Sequence, residues 1–395
     1  VDEIVIVGAS VAGVRAAEAL RAEGFAGSVT LIGRELHFPP YDRPPLSKEL
    51  LSGAWGPDRG RLRVAEDLDV TLRLGVEATS LTLGSDVVGL SDGSEVGFDG
   101  LVIATGATPR TLGSIDPSID GVFVLRTFED AMALRAELAH RPRVVVIGAG
   151  FIGAEVAATC RGLGLDVAVV DPAPFPMERA LGPVLGEWAA ELHRSRGVDL
   201  DLGVAVAGVR GDGRVRAVVL EDRREIPADL VVVAVGVTPE VAWLEHSGLE
   251  IDNGVVCDQW CRALGTTNVV AAGDLARWMN PLFGRVMRIE HWANAVEQGE
   301  AAAKTLLYGE GAPPFASVPY FWSNQYDTRI QFVGIGGNFH RVTEGSLDEP
   351  RFVATFELDG RLVGAACVNA PARLSRYRRL ITEGIGVDEL EDALA

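Results

Sequence analysis

The sequence predicts an α/β protein in which a Rossmann-like dinucleotide-binding domain occurs twice and a C-terminal α+β domain follows. Three observations carry this. "EIVIVGASVAGVRAAEAL" (Glu3–Leu20) reads as buried strand, glycine turn and helix, and "RVVVIGAGFIGAEVAA" (Arg143–Ala158) repeats it with its first glycine 140 residues on, Gly148 against Gly8. Each opening has a matching close, "ATGATP" (Ala104–Pro109) and "AVGVTP" (Ala234–Pro239). A Gly/Pro-rich joint, "YGEGAPPF" (Tyr308–Phe315), then gives way to the strand-like segments "RIQFVGIG", "RFVATFEL" and "RLVGAACV", with helical sequence at the end.

Residues 4–7 form a β-branched run, the pattern of a strand buried on both faces. Gly8–Gly13 turn the chain, a helix runs to about Arg21, and "SVTLIG" is the next strand. Short strands punctuated by "SDG" between residues 70 and 106 predict a meander inserted in this first domain, and a return strand ends in the A-x-G-x-T-P motif. The second half keeps the order: a βαβ unit over 143–171, a Gly-Asp-Gly turn at 211–213, then "DLVVVAVGVTPE" (Asp229–Glu240). "TTNVVAAGD" (Thr266–Asp274) adds a buried strand, and "NAVEQGEAAAKTLL" (Asn294–Leu307) has helical composition. Openings and closings matched in the same order imply an internal duplication, with units far longer than those of a solenoid. The expected boundaries are 1–110, 111–238, 239–312 and 313–395.

A chain of 395 residues with 48% apolar content is long enough for two or three domains with sizeable cores. Its net charge of −19 argues against nucleic acid and anionic membranes as partners, because phosphate binding needs a basic footprint. Apart from Lys48 and Lys304 the cations are arginines, which reads as composition bias. Four sparse cysteines suit a reducing compartment and not a disulfide scaffold. Neither a signal-peptide pattern nor an apolar run of membrane-spanning length is present, so a cytoplasmic protein is expected. The six histidines lack metal spacing, and no metal is expected.

The second glycine turn meets the dinucleotide pattern in full. Gly148, Gly150 and Gly153 are in register, and Asp171 ends the next strand. Such glycines let the backbone approach a pyrophosphate on a positive helix end, and the carboxylate bonds ribose hydroxyls. No Arg or Lys follows in "PAPFPM", which favours NAD over NADP. The first turn departs from the pattern: Ser10 stands at the second glycine, its hydroxyl a potential phosphate donor, and the ribose acid is Glu35 with Arg34 beside it. Two cradles in one chain imply an electron relay between a diffusible hydride donor and a resident acceptor. FAD fits the second role, since it takes a hydride as a pair and releases electrons singly.

These residues resemble the FAD-dependent, glutathione-reductase-like pyridine nucleotide oxidoreductases, and within them the ferredoxin reductases of the putidaredoxin reductase and aromatic-dioxygenase type. The likeness rests on "PYDRPPLSKELL" (Pro40–Leu51), "ATGATPR", "IGAGFIGAEVAA", "AAGDLA" (Ala271–Ala276), "EHWANAVEQG" (Glu290–Gly299) and "PYFWSNQYD" (Pro319–Asp327). It implies that residues 1–110 and 239–312 bind FAD, 111–238 bind NAD(H), and 313–395 cap the flavin. It implies FAD contacts from Gly8, Ser10, Ala12, Gly13, Arg34, Glu35, Arg43, Lys48, Ala78, Ala104, Thr105, Gly106, Arg126, Gly273 and Asp274. Asp274 takes the ribityl-phosphate chain, the alternative being a helix N-cap; Arg126 and the backbone near Ala78 take the adenosine half. Glu290, His291 and Trp292 precede a helix aimed at the flavin N1/O2 edge. Gly148, Gly150, Phe151, Ile152, Gly153, Asp171 and Gly236 would hold NAD(H).

The catalytic roles implied are those of Lys48, Glu155 and Trp322. Lys48 pairs with Glu155 near flavin N5, the competing reading being a surface ion pair. Trp322 walls the ring with Trp292 and is either an electron exit or packing. Asn324 stands where an Asp is common in the family. Disulfide reductases of this superfamily carry a redox cysteine pair beside the flavin, but residues 40–52 hold no cysteine, and Cys257 and Cys261 ("CDQWC") lie in the wrong place for one.

The function implied is hydride transfer from NADH to FAD, then single-electron transfer to a [2Fe–2S] ferredoxin feeding a P450 or Rieske oxygenase. Because such ferredoxins are acidic, a local basic patch is needed. "RLSRYRRL" (Arg373–Leu380) with Arg341 is the candidate, its alternative a solvated helix face. Other acceptors, namely rubredoxin, a nitrite reductase partner or a quinone, stay open, as does monomer against homodimer. A binding protein like apoptosis-inducing factor would carry long insertions and a basic surface, which this sequence lacks.

Overall fold

A computed structural model describes residues 1–116 and 118–394. The chain divides by its contacts into two compact units. One comprises Val1–Asp42, Arg61–Thr108 and Thr238–Pro319; the other comprises Arg43–Gly60, Pro109–Val237 and Tyr320–Ala395.

The first unit is built on a parallel five-stranded sheet in the order Val269–Ala271, Gly100–Ile103, Glu3–Val7, Ser28–Gly33, Thr71–Leu74. Side chains alternate across its central strand. Ile4 and Ile6 pack with Val14, Ala17 and Leu20 of the helix Val11–Ala22. Val5 and Val7 pack with Leu81, Val88 and Leu90 of the antiparallel meander Ala78–Thr82, Val87–Leu90, Glu95–Gly97. Both faces are covered, which is why the strand reads as one unbroken apolar run. Full burial of each such side chain contributes about 1.5–3 kcal/mol.

The second unit repeats the parallel sheet in the order Asp199–Leu202, Val167–Asp171, Val144–Ile147, Leu230–Val233, Val122–Phe123. Val144 and Val146 face one cluster, Val145 and Ile147 the other. The helix Phe151–Gly162 has the same length as Val11–Ala22, 12 residues. The C-terminal part is an antiparallel sheet in the order Tyr320–Gln325, Thr328–Gly334, Arg361–Val368, Phe352–Leu358, Asn338–Glu344. The helix Leu374–Glu383 buries Tyr377, Leu380 and Ile381. The chain is thus mixed α/β with an α+β terminus, as the sequence predicts. Among the described residues no helix is long and apolar enough to cross a membrane.

Two local expectations are corrected. The closing motifs do not end single strands. Gly100–Ile103 stops and Ala107–Pro109 begins anew; Leu230–Val233 and Val237–Pro239 are separated in the same way. Gly106 (φ +74°) and Gly236 (φ +96°) hold left-handed backbone at each break. The helix expected to follow Trp292 instead begins with it, spanning Trp292–Tyr308 with His291 as N-cap.

The helices Val11–Ala22 and Trp292–Tyr308 meet at Gly299, where a β-carbon would stand 2.4 Å from the Ala12 carbonyl oxygen. A helical Gly-to-Ala change gains about 1 kcal/mol of propensity, which does not offset a backbone collision. Gly299→Ala is therefore expected to cost a net 1–3 kcal/mol, roughly the cost of overpacking, read as a lowered urea midpoint. Gly56→Ala, with nothing within 4 Å of the new carbon, leaves the midpoint unchanged.

Candidate active site: two glycine turns and a buried charge pair

The two turns share one construction. Gly8 (φ +124°) donates its N–H to the Ile32 carbonyl at 2.8 Å, and Gly148 (φ +107°) donates to that of Val170 at 2.8 Å. A β-carbon on Gly8 would lie 2.1 Å from the Ala104 carbonyl oxygen; on Gly148, 2.4 Å from that of Ala234. At both Gly13 and Gly153 it would lie 1.9 Å from the carbonyl oxygen of the first glycine of its own turn. These four positions admit no side chain. Each turn aims the unbonded N–H groups of the helix's first residues, including Ala12 in one and Phe151 and Ile152 in the other, past the sheet's carboxyl edge.

The middle position differs. A β-carbon at Gly150 would meet no protein atom within 4 Å. Ser10 holds the corresponding place with extended backbone, and its side chain makes no capping hydrogen bond.

Around the first turn the structure gathers several predicted residues. Gly273 (φ +84°) packs on Ala12 and donates its N–H to Gln298 Oε1 at 2.9 Å. The next residue, Asp274, is tied by its carbonyl to Arg288 Nη1 at 2.7 Å, and Arg288 Nη2 also pairs with Glu290 at 2.7 Å. Burial pushes the His291 pKa down to about 4 against the opposing charge of Asp274, so the imidazole is neutral near pH 7. Trp292 Nε1 donates to Asp42 Oδ1 at 2.9 Å. Thr105 Oγ1 donates to the Glu240 carbonyl at 2.7 Å, and Gly106 accepts from the Glu240 amide at 2.9 Å.

The acids differ between the two turns. By strand register Gly33, not Glu35, stands where Asp171 stands, and Glu35 accepts a hydrogen bond from Tyr41. Arg34 lies 3.8 Å from Glu77 and 3.7 Å from Glu240. Ala78 opens its strand and packs on the core that includes Val7 and Ile32. Asp171 accepts from the Ala149 amide at 2.6 Å and the Ala173 amide at 2.7 Å, one on each oxygen. A second lone pair on each oxygen remains for a ribose hydroxyl.

The second unit also holds the charge pair. Lys48 Nζ lies 2.6 Å from Glu155 Oε2, with the side chains 10% and 3% exposed, so this is not a surface ion pair. Ser47 Oγ donates to the same oxygen at 2.5 Å, and Ser323 Oγ donates to Oε1 at 2.8 Å. Arg43 donates to the Arg126 carbonyl at 2.6 Å. Phe151 packs on Phe321, ring centroids 4.4 Å apart, and Trp322 stacks on Tyr320 at 5.9 Å. Ser47, Ser323, Arg288 and Gln298 were not singled out by sequence reasoning. Ser47, Ser323 and Gln298 lie inside the motifs "PYDRPPLSKELL", "PYFWSNQYD" and "EHWANAVEQG", the one signal available for them.

All four cysteines are buried and free; burial pushes Cys160, Cys261 and Cys367 up to about 12, and their thiols stay protonated. Among the described residues no group of three or more His, Cys, Asp or Glu could hold a metal ion. The basic stretch at 373–380 is not an open patch. Arg373 pairs with Glu344 and Arg379 with Glu383, while Arg376 donates to the Ala393 carbonyl; the flanking Arg341 pairs with Glu391.

Residues 2–299 match the family described as pyridine nucleotide-disulphide oxidoreductase, and residues 320–393 match the reductase C-terminal family. The chain belongs to the pyridine nucleotide-disulphide oxidoreductases. Over 97% of its length it is 41% identical to the anthranilate 1,2-dioxygenase system ferredoxin–NAD(+) reductase component of Burkholderia cepacia, covering 95% of that protein. It is 34% identical to putidaredoxin reductase of Pseudomonas putida, covering 98% of this chain and 93% of the relative. Among solved structures, putidaredoxin reductase in its covalent complex with putidaredoxin aligns at a TM-score of 0.92 and 34% identity, over 98% of this chain and 94% of that one. The ferredoxin reductase for the CYP199A2 system of Rhodopseudomonas palustris aligns at 0.93 and 35%, over 98% and 96%.

The oxidoreductase family uses FAD and a pyridine nucleotide, and this chain's turns fit both. Gly150 opens onto space that no protein atom fills, as a pyrophosphate approaching the backbone requires. At the first turn Ser10 caps nothing in its own helix, leaving a hydroxyl donor for phosphate.

Two outcomes are expected. Removing Glu155 (Glu155→Ala) strands Lys48 in the interior and costs about 3–5 kcal/mol in a denaturant titration. His193, 2% exposed, has its pKa pushed down by burial to about 4, against about 6.5 when unfolded. Its contribution is complete above pH 6.5 and is lost as pH falls toward 4, because only the unfolded chain binds the proton. Over that window the wild type is expected to lose about 3 kcal/mol more than His193→Gln.

Proposed function

We propose that this chain is an NADH:ferredoxin reductase that passes electrons singly to a [2Fe–2S] ferredoxin serving a P450 or Rieske oxygenase. One observation carries the reading. Where disulfide reductases of the superfamily place a redox cysteine pair, the Pro40–Leu51 segment presents Lys48, ion-paired to Glu155, and every cysteine in the chain is buried. With no dithiol in that segment to receive a hydride equivalent, the electrons leave to an outside acceptor. The names of the relatives point to which acceptor.

In this reading residues 1–110 and 239–312 hold FAD, 111–238 hold NAD(H), and 313–395 cap the site. The Gly8–Gly13 turn with Ser10 takes the FAD pyrophosphate, and Asp274, braced by Arg288, takes the ribityl-phosphate chain. The Gly148–Gly153 turn takes the NADH pyrophosphate. Asp171, held by two backbone amides, accepts from the ribose and repels a 2′-phosphate. Bound FAD supplies the conversion of a hydride pair into single electrons. Lys48 offers a fixed positive charge that favours added electron density, and Glu155 holds it in place. Neutral His291 caps a helix whose positive end favours negative charge. Trp322 is an electron exit in the same scheme. The work belongs to the cytoplasm, where NADH is supplied.

Purified protein is expected to show flavin absorption bands that bleach with NADH and far less with NADPH. Cytochrome c reduction is expected to require an added ferredoxin. Fast turnover with no carrier, or with rubredoxin or a quinone alone, overturns the choice of acceptor; a protein unable to take up FAD overturns the reading entirely.

A further inference from the structure

The polar groups behind Glu155 form a chain with a single direction, all within the second unit. Ser323 Oγ donates to Glu155 Oε1 at 2.8 Å. Gln325 Nε2 donates to Ser323 Oγ at 3.1 Å and to Met177 Sδ at 3.4 Å. With the amide nitrogen so engaged, Gln325 Oε1 faces His193 Nε2 at 3.0 Å, and that nitrogen must carry the proton. Burial pushes the His193 pKa down to about 4, so near neutral pH the ring holds one proton and Nδ1 is an acceptor. Nδ1 takes the Tyr326 hydroxyl at 2.8 Å. Four successive donors therefore point toward one carboxylate.

The order is kept by the match of donor to acceptor at each link. A flipped Gln325 would turn its NH2 toward the His193 N–H and its oxygen toward Ser323. Ser323 has one hydrogen, which would then go to that oxygen and leave Glu155 Oε1. Ser323 and Gln325 are fully buried, so solvent does not replace a lost partner, and an unsatisfied buried group costs about 1–3 kcal/mol. The amide has no proton to relay onward, so the chain orients groups and does not conduct. Gln325 also reaches the second glycine turn: Met177, held at φ +53°, donates its N–H to the Ala149 carbonyl at 2.9 Å.

We propose that His193 and Gln325 are positioning residues for the Lys48–Glu155 pair, setting through Ser323 how the carboxylate meets the lysine. They touch no reacting atom, and the proposal rests on the reading of that pair as part of the working site.

The chain contains only two lysines, Lys48 and Lys304, so 13C-lysine labelling of the FAD-loaded protein gives one signal from the pair and one internal control. Lys304 is 42% exposed and pairs with Glu23 in the other unit. His193→Phe keeps a ring but removes both hydrogen bonds. It is expected to shift the Lys48 signal, leave that of Lys304 in place, and lower kcat/KM for NADH with ferricyanide by roughly tenfold, the worth of about one hydrogen bond. His193→Gln, which keeps an N–H at the Nε2 position, restores both readouts. Tyr326→Phe deletes only the outer hydroxyl; it moves the Lys48 signal the same way by less, and carries the test if His193→Phe does not fold. An unmoved Lys48 signal in the folded variant, or no restoration by His193→Gln, overturns the proposal. The NMR result is independent of the acceptor: a wild type that reduces no ferredoxin sinks the electron-carrier reading and leaves this answer standing.

Discussion

Backbone meets backbone at the two glycine turns, and the nucleotide-binding design depends on that contact. Gly8 lies against the carbonyl of Ala104 and Gly148 against that of Ala234, each at a distance no β-carbon can share. Gly13 and Gly153 close on the first glycine of their own turns in the same manner. The contact brings the helix start to the sheet's carboxyl edge and keeps its N–H groups bare. A side chain there would lift the helix and remove the cradle, so four positions are restricted to hydrogen while the residues between them vary.

The charge pair has a different logic. Burying Lys48 and Glu155 is costly, and an apolar pair of equal volume would serve stability as well or better. The structure nevertheless surrounds the carboxylate with three donors and backs one of them with an ordered chain of amide, imidazole and phenol. That expense is intelligible if orientation is what matters. The cysteines show the opposite treatment: burial, reinforced by the negative charge of Asp258 at Cys261 and of Glu344 at Cys367, keeps three thiols protonated and unreactive.

Charge at the surface follows a third rule. The arginines near the C-terminus read as a basic patch in one dimension, yet in the fold Arg373, Arg379 and Arg341 are paired with Glu344, Glu383 and Glu391. Exposed pairs of this kind contribute about 0–1 kcal/mol each and are weakened by salt. Each pair also weakens the local positive field on which steering of an acidic partner would draw.

What could be read from sequence is what has a local cause. The glycine turns were legible because the steric demand sits on the glycines themselves, and the central strands because burial on two faces leaves an unbroken apolar run. The Lys48–Glu155 pair was reachable only through family resemblance, since 107 residues separate its members. Glu155 and Ser323 are 168 apart and His193 and Gln325 are 132 apart, and nothing in the neighbourhood of either residue announces its partner. The strand breaks at Gly106 and Gly236 escaped notice because an apolar run does not reveal where pairing stops. The sequence by itself determined the duplicated α/β framework and both cradles, because those follow from steric and hydrophobic constraints acting over a few residues. Tertiary structure alone decided which buried donors face which acceptors and which surface charges are cancelled, because hydrogen bonds and ion pairs are set by distance in space.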